Sequence, residues 1–160
     1  MTIDKETPFV QALGRTPSGL FIVTAQAGDK RAAYLASFVQ QASFSPLVFS
    51  IACHPDRYPY SLIKESGKFA INLIPEGDQV LMKTFAKGHG PEDDLIATVD
   101  FENIEGVPVL KDAIGAAVFE VTDEVKPGDH AIIFGKALDG VFYQESKSPW
   151  VHIRKSALTY

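Results

Sequence analysis

Strand-forming segments joined by short turns dominate this chain and constrain its fold more than any other feature. Runs rich in β-branched and aromatic residues cover positions 19–26, 31–38, 47–53, 68–74, 114–125, 130–138, 141–144 and 150–153. Turn signals separate them at Ala27–Lys30 and Lys126–Asp129, and Asp139-Gly140 predicts a hairpin turn. Long strands without regular helix alternation favour a mainly β, antiparallel fold, either a closed barrel or a sandwich.

Helical signals are few and short. Apolar spacing and end signals predict helices over 8–14, 60–66 and 78–87. Thr7 precedes the first as a cap candidate, and Gly67 follows the second. The stretch from Gly88 to Asp94 has neither a strand pattern nor a helix pattern, and we expect it to be a mobile loop.

Length and charge exclude several classes of protein. No linker or repeat divides the 160 residues, so we expect residues 1–160 to form a single domain. Cys53 is the only cysteine, which leaves no internal disulfide and no cysteine-based zinc site, and a net charge of -5 disfavours nucleic-acid binding. The chain has neither a membrane-spanning apolar run of ~18 residues nor a signal peptide at its start, so we expect a cytoplasmic protein without a membrane partner.

Several common catalytic motifs are missing from the sequence. Gly88-His89-Gly90 lacks the third glycine of a dinucleotide-binding fingerprint and follows a helix rather than a strand. The four histidines have no metal-ligand spacing, so no metal site is predicted. A catalytic Ser/His/Asp triad stays an open alternative, because its three residues need to be close in the folded protein but not in the sequence.

Four segments, taken in order, resemble one known family. They are Gly19–Ala25, Leu35–Pro46, Gly128–His130, and His152–Lys155 with the terminal Tyr160. Together they resemble the flavin reductase-like, FMN-binding split-barrel family, and especially the flavin reductase module at the C-terminus of flavodiiron proteins from photosynthetic microbes. The resemblance covers nearly the whole chain, and the loop from Gly88 to Asp94 departs from it.

This resemblance implies a six-stranded Greek-key barrel, a homodimer, and one FMN per subunit near the dimer interface, with FAD possible. NADH or NADPH would pass a hydride to the flavin N5 atom, and electrons would continue to free flavin, oxygen or a partner protein. Two alternatives stay open: a non-catalytic FMN-binding electron-transfer module, and a protein-interaction barrel with a vestigial pocket. The residues do not separate NADH from NADPH, or a bound flavin from a diffusing one.

The flavin ring needs an apolar wall with hydrogen-bonding groups at its edge. Leu35, Ala36, Ser37 and Phe38 fit one such wall, and Ala42-Ser43 is a candidate for the second. On sequence alone, residues 35–38 equally suit an ordinary core strand, and residues 42–44 suit a turn before a proline.

The flavin phosphate needs positive charge or free backbone N–H groups. Arg57 and Ser61 lie where a turn enters a helix, and we predict that they anchor the phosphate. Lys87 could add charge, as could Lys83, although both also suit a solvated helix surface.

The resemblance places His130 near the flavin ring and the nicotinamide, where it would position the rings or stabilise charge rather than act as an acid or base. Arg154 would steady a reduced flavin or reach the dinucleotide phosphates. The alternative for His130 is a turn histidine bonded to Asp129, and the alternative for Arg154 is a place in an exposed basic tail. Cys53 is interpreted as a buried hydrophobe, and Trp150 as core or as a cover for the flavin or the subunit interface.

Overall fold

Seven strands form one antiparallel sheet in the computed structural model, which describes residues 2–159. The strands of the chain are β1 (Ser18–Gly19), β2 (Phe21–Ala27), β3 (Lys30–Ala36), β4 (Val39–Phe44), β5 (Leu47–Cys53), β6 (Lys68–Leu73), β7 (Phe101–Ile104), β8 (Val107–Leu110), β9 (Gly115–Val125), β10 (Ala131–Phe142) and β11 (Val151–His152). The helices are α1 (Pro8–Gly14), α2 (Tyr58–Ser66) and α3 (Gln79–Ala86), with a 3-10 turn at Leu95–Thr98. The sheet order is β3-β2-β6-β9-β10-β5-β4, and β1–β11 and β7–β8 form two separate ladders.

The large sheet curls until its two ends meet. Tyr34 on β3 donates its hydroxyl to the carbonyl of Ala52 on β5 at 3.0 Å, and Ala52 N–H donates to the carbonyl of Phe38 at 3.0 Å. The main core fills the inside, where the Phe69 and Phe119 rings stack at 5.3 Å. The mainly β, split-barrel prediction is confirmed, but the large sheet has seven strands rather than the six that the resemblance implied.

Local turn chemistry agrees with the sequence analysis. The β2–β3 hairpin turns through Gly28, whose φ is +59°, and Gly67 ends α2 with a φ of +69°. The Asp78 carboxylate accepts the Leu81 N–H at 2.9 Å and so caps α3. Thr7 stands at the start of α1, but its hydroxyl donates to Asp4 instead of capping the helix.

One predicted turn near the C-terminus is wrong, and one predicted strand is shorter than expected. Asp139-Gly140 is not a hairpin turn, because β10 runs through it with a β-bulge between Ala137 and Asp139. A Cβ at Gly140 would lie 2.6 Å from the carbonyl oxygen of Ala116, so the glycine permits close strand approach rather than a turn. The run over 150–153 forms only the two-residue strand β11, which pairs with β1 and lies outside the large sheet.

Sequence analysis assigned no strand to the β7–β8 hairpin, which a buried polar network attaches to the sheet. Thr24 donates its hydroxyl to the Pro108 carbonyl at 2.6 Å. The Asn72 amide accepts the Leu110 N–H at 2.8 Å and donates to the Ile22 carbonyl at 2.9 Å. Thr24 and Asn72 are fully buried, and these bonds satisfy their polar atoms. Within residues 2–159, no helix has the length and apolar character needed to cross a bilayer.

Candidate functional site

A groove follows the end of β3 and continues into Ser37 and Phe38; we call it the β3 groove. Its main cavity measures about 310 Å³, within the range typical of small-molecule sites. The cavity is lined by Leu20, Leu35, Ala36, Ser37, Arg57, Met82, Ala86, Trp150 and His152. An adjoining recess shares residues 35–37 and Arg57 and adds Phe38, His54 and His130. The structure therefore brings the predicted residues 35–38, Arg57 and His130 into one place.

Ser37 carries the most informative polar atom of the groove. Its side chain is buried, with only 6% of the residue exposed. Across residues 2–159, its Oγ is the one buried side-chain oxygen or nitrogen without a hydrogen-bond partner. Leaving such an atom unpaired costs about 1–3 kcal/mol, so an uncompensated hydroxyl in a cavity wall indicates a place where a polar ligand atom binds.

Arg57 brings positive charge to the groove. It precedes α2 as the N-cap residue, and its N–H donates to the His54 carbonyl at 3.0 Å, which closes the turn between them. Its guanidinium carbon lies 5.8 Å from the centre of the Tyr34 ring, so the charge lies beside β3. A guanidinium beside a helix N-terminus is suited to bind a phosphate.

His130 stands where the turn of residues 126–129 enters β10. Its Nδ1 lies 2.8 Å from a carboxylate oxygen of Asp129, and the His130 ring beside it holds the pKa of that carboxyl below its usual value. The ring centre lies 6.0 Å from Phe38 and 5.5 Å from His54, both edge-to-face. The histidine of the sequence motif is thus fixed by one carboxylate and two rings.

Arg154 approaches the groove from the other side of Phe38. Its guanidinium carbon lies 4.9 Å from the centre of the Phe38 ring. Arg154 also lines a neighbouring cavity of about 510 Å³. This cavity shares Ser37 and Phe38 with the recess that contains His130. A negatively charged ligand lying across Phe38 would therefore meet a cation at this end of the groove.

Four predicted site residues lie apart from the cavities that contain residues 35–38. Ala42 and Ser43 belong to the edge strand β4, where Ala42 is exposed. Ser61 is also exposed and donates its hydroxyl to the Tyr58 carbonyl at 2.8 Å, a bond local to α2. Lys87 is the exposed C-cap residue of α3. The geometry gives no support to a site role for these four residues, and their roles remain predictions.

Sequence reasoning gave no site role to several residues that line the main cavity. Met82 and Ala86 lie one turn apart on α3, and this spacing is the signal that could have paired them with β3. His152 stands within the His152–Lys155 motif but was not selected. Trp150, named only as an alternative cover for the flavin, lies in the wall.

Cys53 is buried at 1% exposure, which confirms its sequence interpretation. Burial raises the pKa of its thiol to about 11. The thiol therefore stays protonated near neutral pH and is not a nucleophile.

The loop from Gly88 to Asp94 is attached to β3 at two points. His89 Nε2 accepts the Ala33 N–H at 3.4 Å, and Arg31 binds Asp94 with N–O distances between 2.7 and 2.9 Å. The Arg31 guanidinium holds the pKa of the Asp94 carboxyl below its usual value. The loop thereby contributes to the lining of a cavity of about 290 Å³ that Arg57 also lines.

Comparison with known proteins now decides the family. The family model described as flavin reductase like domain matches residues 13–159. The chain belongs to this family. It is 37% identical over 147 residues to diflavin flavoprotein A 1 of Synechocystis sp. and 40% identical over 147 residues to putative diflavin flavoprotein A 3 of Nostoc sp.. Each match covers 91% of this chain but 26% of the relative, so the chain spans about a quarter of their length.

A solved structure shows the same fold. The NADH:FAD oxidoreductase SgcE6 of Streptomyces globisporus C-1027 superimposes with a TM-score of 0.84 at 21% sequence identity, over 97% of this chain and 93% of that one. SgcE6 has also been solved in complex with NAD and FAD fragments. At 21% sequence identity, the similarity to SgcE6 shows only a shared fold. The assignment to the family rests on the sequence match to the family model.

Proposed function

We propose that this chain is an NAD(P)H-dependent flavin reductase that binds FMN in the β3 groove. The single observation that carries the proposal is the buried, unpartnered Ser37 hydroxyl, in a cavity that also contains Arg57. Membership of the flavin reductase like family supports the activity, and the relatives named as diflavin flavoproteins support a flavin ligand.

The residues of the groove fit the parts of a flavin nucleotide. Leu35, Ala36 and Trp150 offer an apolar wall, and the Ser37 hydroxyl can donate to a ring carbonyl or accept from a ring N–H. Arg57 supplies a cation for the phosphate, which a chain of net charge -5 needs locally. FMN, whose single phosphate matches the one arginine in this wall, is the form that we propose.

When bound, flavin supplies a two-electron acceptor for the hydride that NADH or NADPH loses on oxidation. The contribution of this chain would be orientation: His130, held by Asp129 and by two rings, would face a bound flavin from the recess beside the main cavity. Arg154, whose guanidinium lies beside Phe38, would supply positive charge to a reduced flavin bound against that ring.

The donor and the surroundings of the protein are also part of the proposal. A complex of the structural neighbour SgcE6 holds NAD fragments, which supports a nicotinamide donor for this chain. We further propose a cytoplasmic homodimer that passes electrons to free flavin, oxygen or a partner protein. A non-catalytic electron-transfer module is the second candidate, favoured by the relatives in which a domain like this one is about a quarter of the chain.

Anaerobic mixing separates the two candidates. The purified protein is loaded with FMN, and NADH and NADPH are added in separate experiments while the visible absorbance of oxidised flavin is followed. A reductase bleaches within seconds with at least one donor and faster than free FMN does. Bound flavin that keeps its colour with both donors would refute the reductase and leave the electron-transfer module.

A further inference from the structure

We propose that His54 is a positioning residue that orients the His130 ring for the reaction. The inference rests on the proposed function and assigns a role to a residue that sequence reasoning left without one. His54 is the first residue after β5. Its ring lies edge-to-face against the His130 ring, with centroids 5.5 Å apart and planes at 86°. Both histidines line the recess that contains residues 35–38 and Arg57.

His130 needs support from outside its own segment. It follows an exposed turn, and its hydrogen-bonding neighbour Asp129 belongs to the same turn, with 83% of that side chain exposed. A carboxylate so exposed can move with the turn and does not fix the ring by itself. The other two contacts of the ring come from distant parts of the chain, namely Phe38 and His54.

The His54 ring is oriented by a hydrogen bond from a backbone N–H, which moves less than an exposed side chain. Its Nδ1 accepts the Asp56 N–H at 3.2 Å, and a carboxylate oxygen of Asp56 lies 3.8 Å from the same nitrogen. Because Nδ1 is the acceptor, the neutral ring carries its proton on Nε2. The charged groups around the pair are Asp56 and Asp129, with Arg57 at the wall of the same recess.

The turn that carries His54 also carries Arg57. The Arg57 N–H donates to the His54 carbonyl, so both side chains are attached to one closed turn. In the proposed function Arg57 binds the phosphate of the ligand. His54 thereby lies between the turn that carries Arg57 and the His130 ring, which in the proposed function meets the nicotinamide.

The main experiment measures anaerobic flavin reduction in a double-mutant cycle of His54→Ala and His130→Ala. Loss of orientation lowers the limiting rate, and we expect His54→Ala to slow it by about tenfold. FMN affinity and the NAD(P)H concentration for half-maximal rate should change less than threefold. His54→Phe, which keeps an edge-to-face ring but loses the Nδ1 bond that orients it, should recover only part of the rate. In the His130→Ala background, His54→Ala should have no further effect.

A second readout does not depend on turnover. In nitrogen NMR spectra of the flavin-free protein, His54→Ala should shift the ring signals of His130. His89→Ala is the control, because His89 contacts β3 and not His130, and it should leave those signals in place.

The outcomes separate the inference from the proposed function. An unchanged rate in His54→Ala, or an equal loss in the presence and absence of His130, overturns the positioning role and leaves the reductase intact. If His130→Ala itself reduces flavin at the normal rate, the proposed role of His130 is wrong and the inference is overturned with it. Unmoved His130 signals in folded His54→Ala also contradict the contact.

Discussion

The replacement Ser37→Ala should change flavin affinity and protein stability in different directions. The Ser37 hydroxyl is buried without a partner in the protein. In the proposed complex it forms one neutral hydrogen bond, for which the net contribution is about 0.5–1.5 kcal/mol. Since each 1.4 kcal/mol is tenfold in affinity, the dissociation constant for FMN should rise about 2- to 12-fold.

The same replacement should not destabilise the flavin-free protein. Removing an unpaired buried hydroxyl also removes its desolvation cost, so the free energy of unfolding should stay level or rise by up to about 1 kcal/mol. The matched control is Ser156→Ala, because Ser156 is buried to a similar degree but accepts the Leu158 N–H at 3.2 Å. That control should lose about 1 kcal/mol, a fall in Tm of about 2–4 °C for a chain of this size.

Two assays measure these effects: flavin fluorescence titration for affinity, and urea unfolding of the flavin-free protein for stability. If Ser37→Ala loses as much stability as Ser156→Ala, the Ser37 hydroxyl already has a partner and the reasoning fails. An unchanged FMN dissociation constant would refute its role as a ligand-binding group.

Three further predictions concern charge, pH and the buried network. Arg57→Ala should weaken FMN binding by about 10- to 100-fold but leave riboflavin, which has no phosphate, nearly unaffected in the same titration; equal losses for both ligands would contradict a phosphate contact. Burial lowers the pKa of His89, so below about pH 6.5 the unfolded chain binds more protons and the loop attachment weakens as pH falls. Hydrogen exchange of residues 88–94 should therefore accelerate between about pH 7.5 and 5.5 relative to the rest of the chain, and His89→Ala should remove this difference. Thr24→Val should cost about 1–3 kcal/mol in urea unfolding because it leaves the Pro108 carbonyl unpaired, whereas the exposed Thr122→Val should change stability by less than about 0.5 kcal/mol.

Features fixed by neighbouring residues could be predicted from the sequence. The β2–β3 hairpin follows from Gly28, and the start of α3 follows from the capping Asp78, because the deciding bonds span only a few residues. Gly140 shows the opposite case. Its neighbour Asp139 produces a turn signal, but the contact with Ala116 on another strand decides its conformation.

The candidate site could be predicted where a family motif marked it, and at Arg57, where a basic turn enters a helix. Residues 35–38, Arg57 and His130 meet in the groove, yet their distances depend on the curl of the whole sheet. The unpaired state of the Ser37 hydroxyl cannot be read from sequence, since it requires that every nearby group has another partner. The sequence around His54 does not indicate a site role, because a lone histidine after a strand belongs to no motif. Only its packing against His130 distinguishes it.

A crystal structure of the FMN complex tests the central claim most directly. Our account predicts the flavin ring against residues 35–38, with a ring atom within hydrogen-bonding distance of Ser37 Oγ and the phosphate beside Arg57. A flavin bound elsewhere, or a groove closed by the protein's own side chains in the presence of saturating FMN, would contradict it.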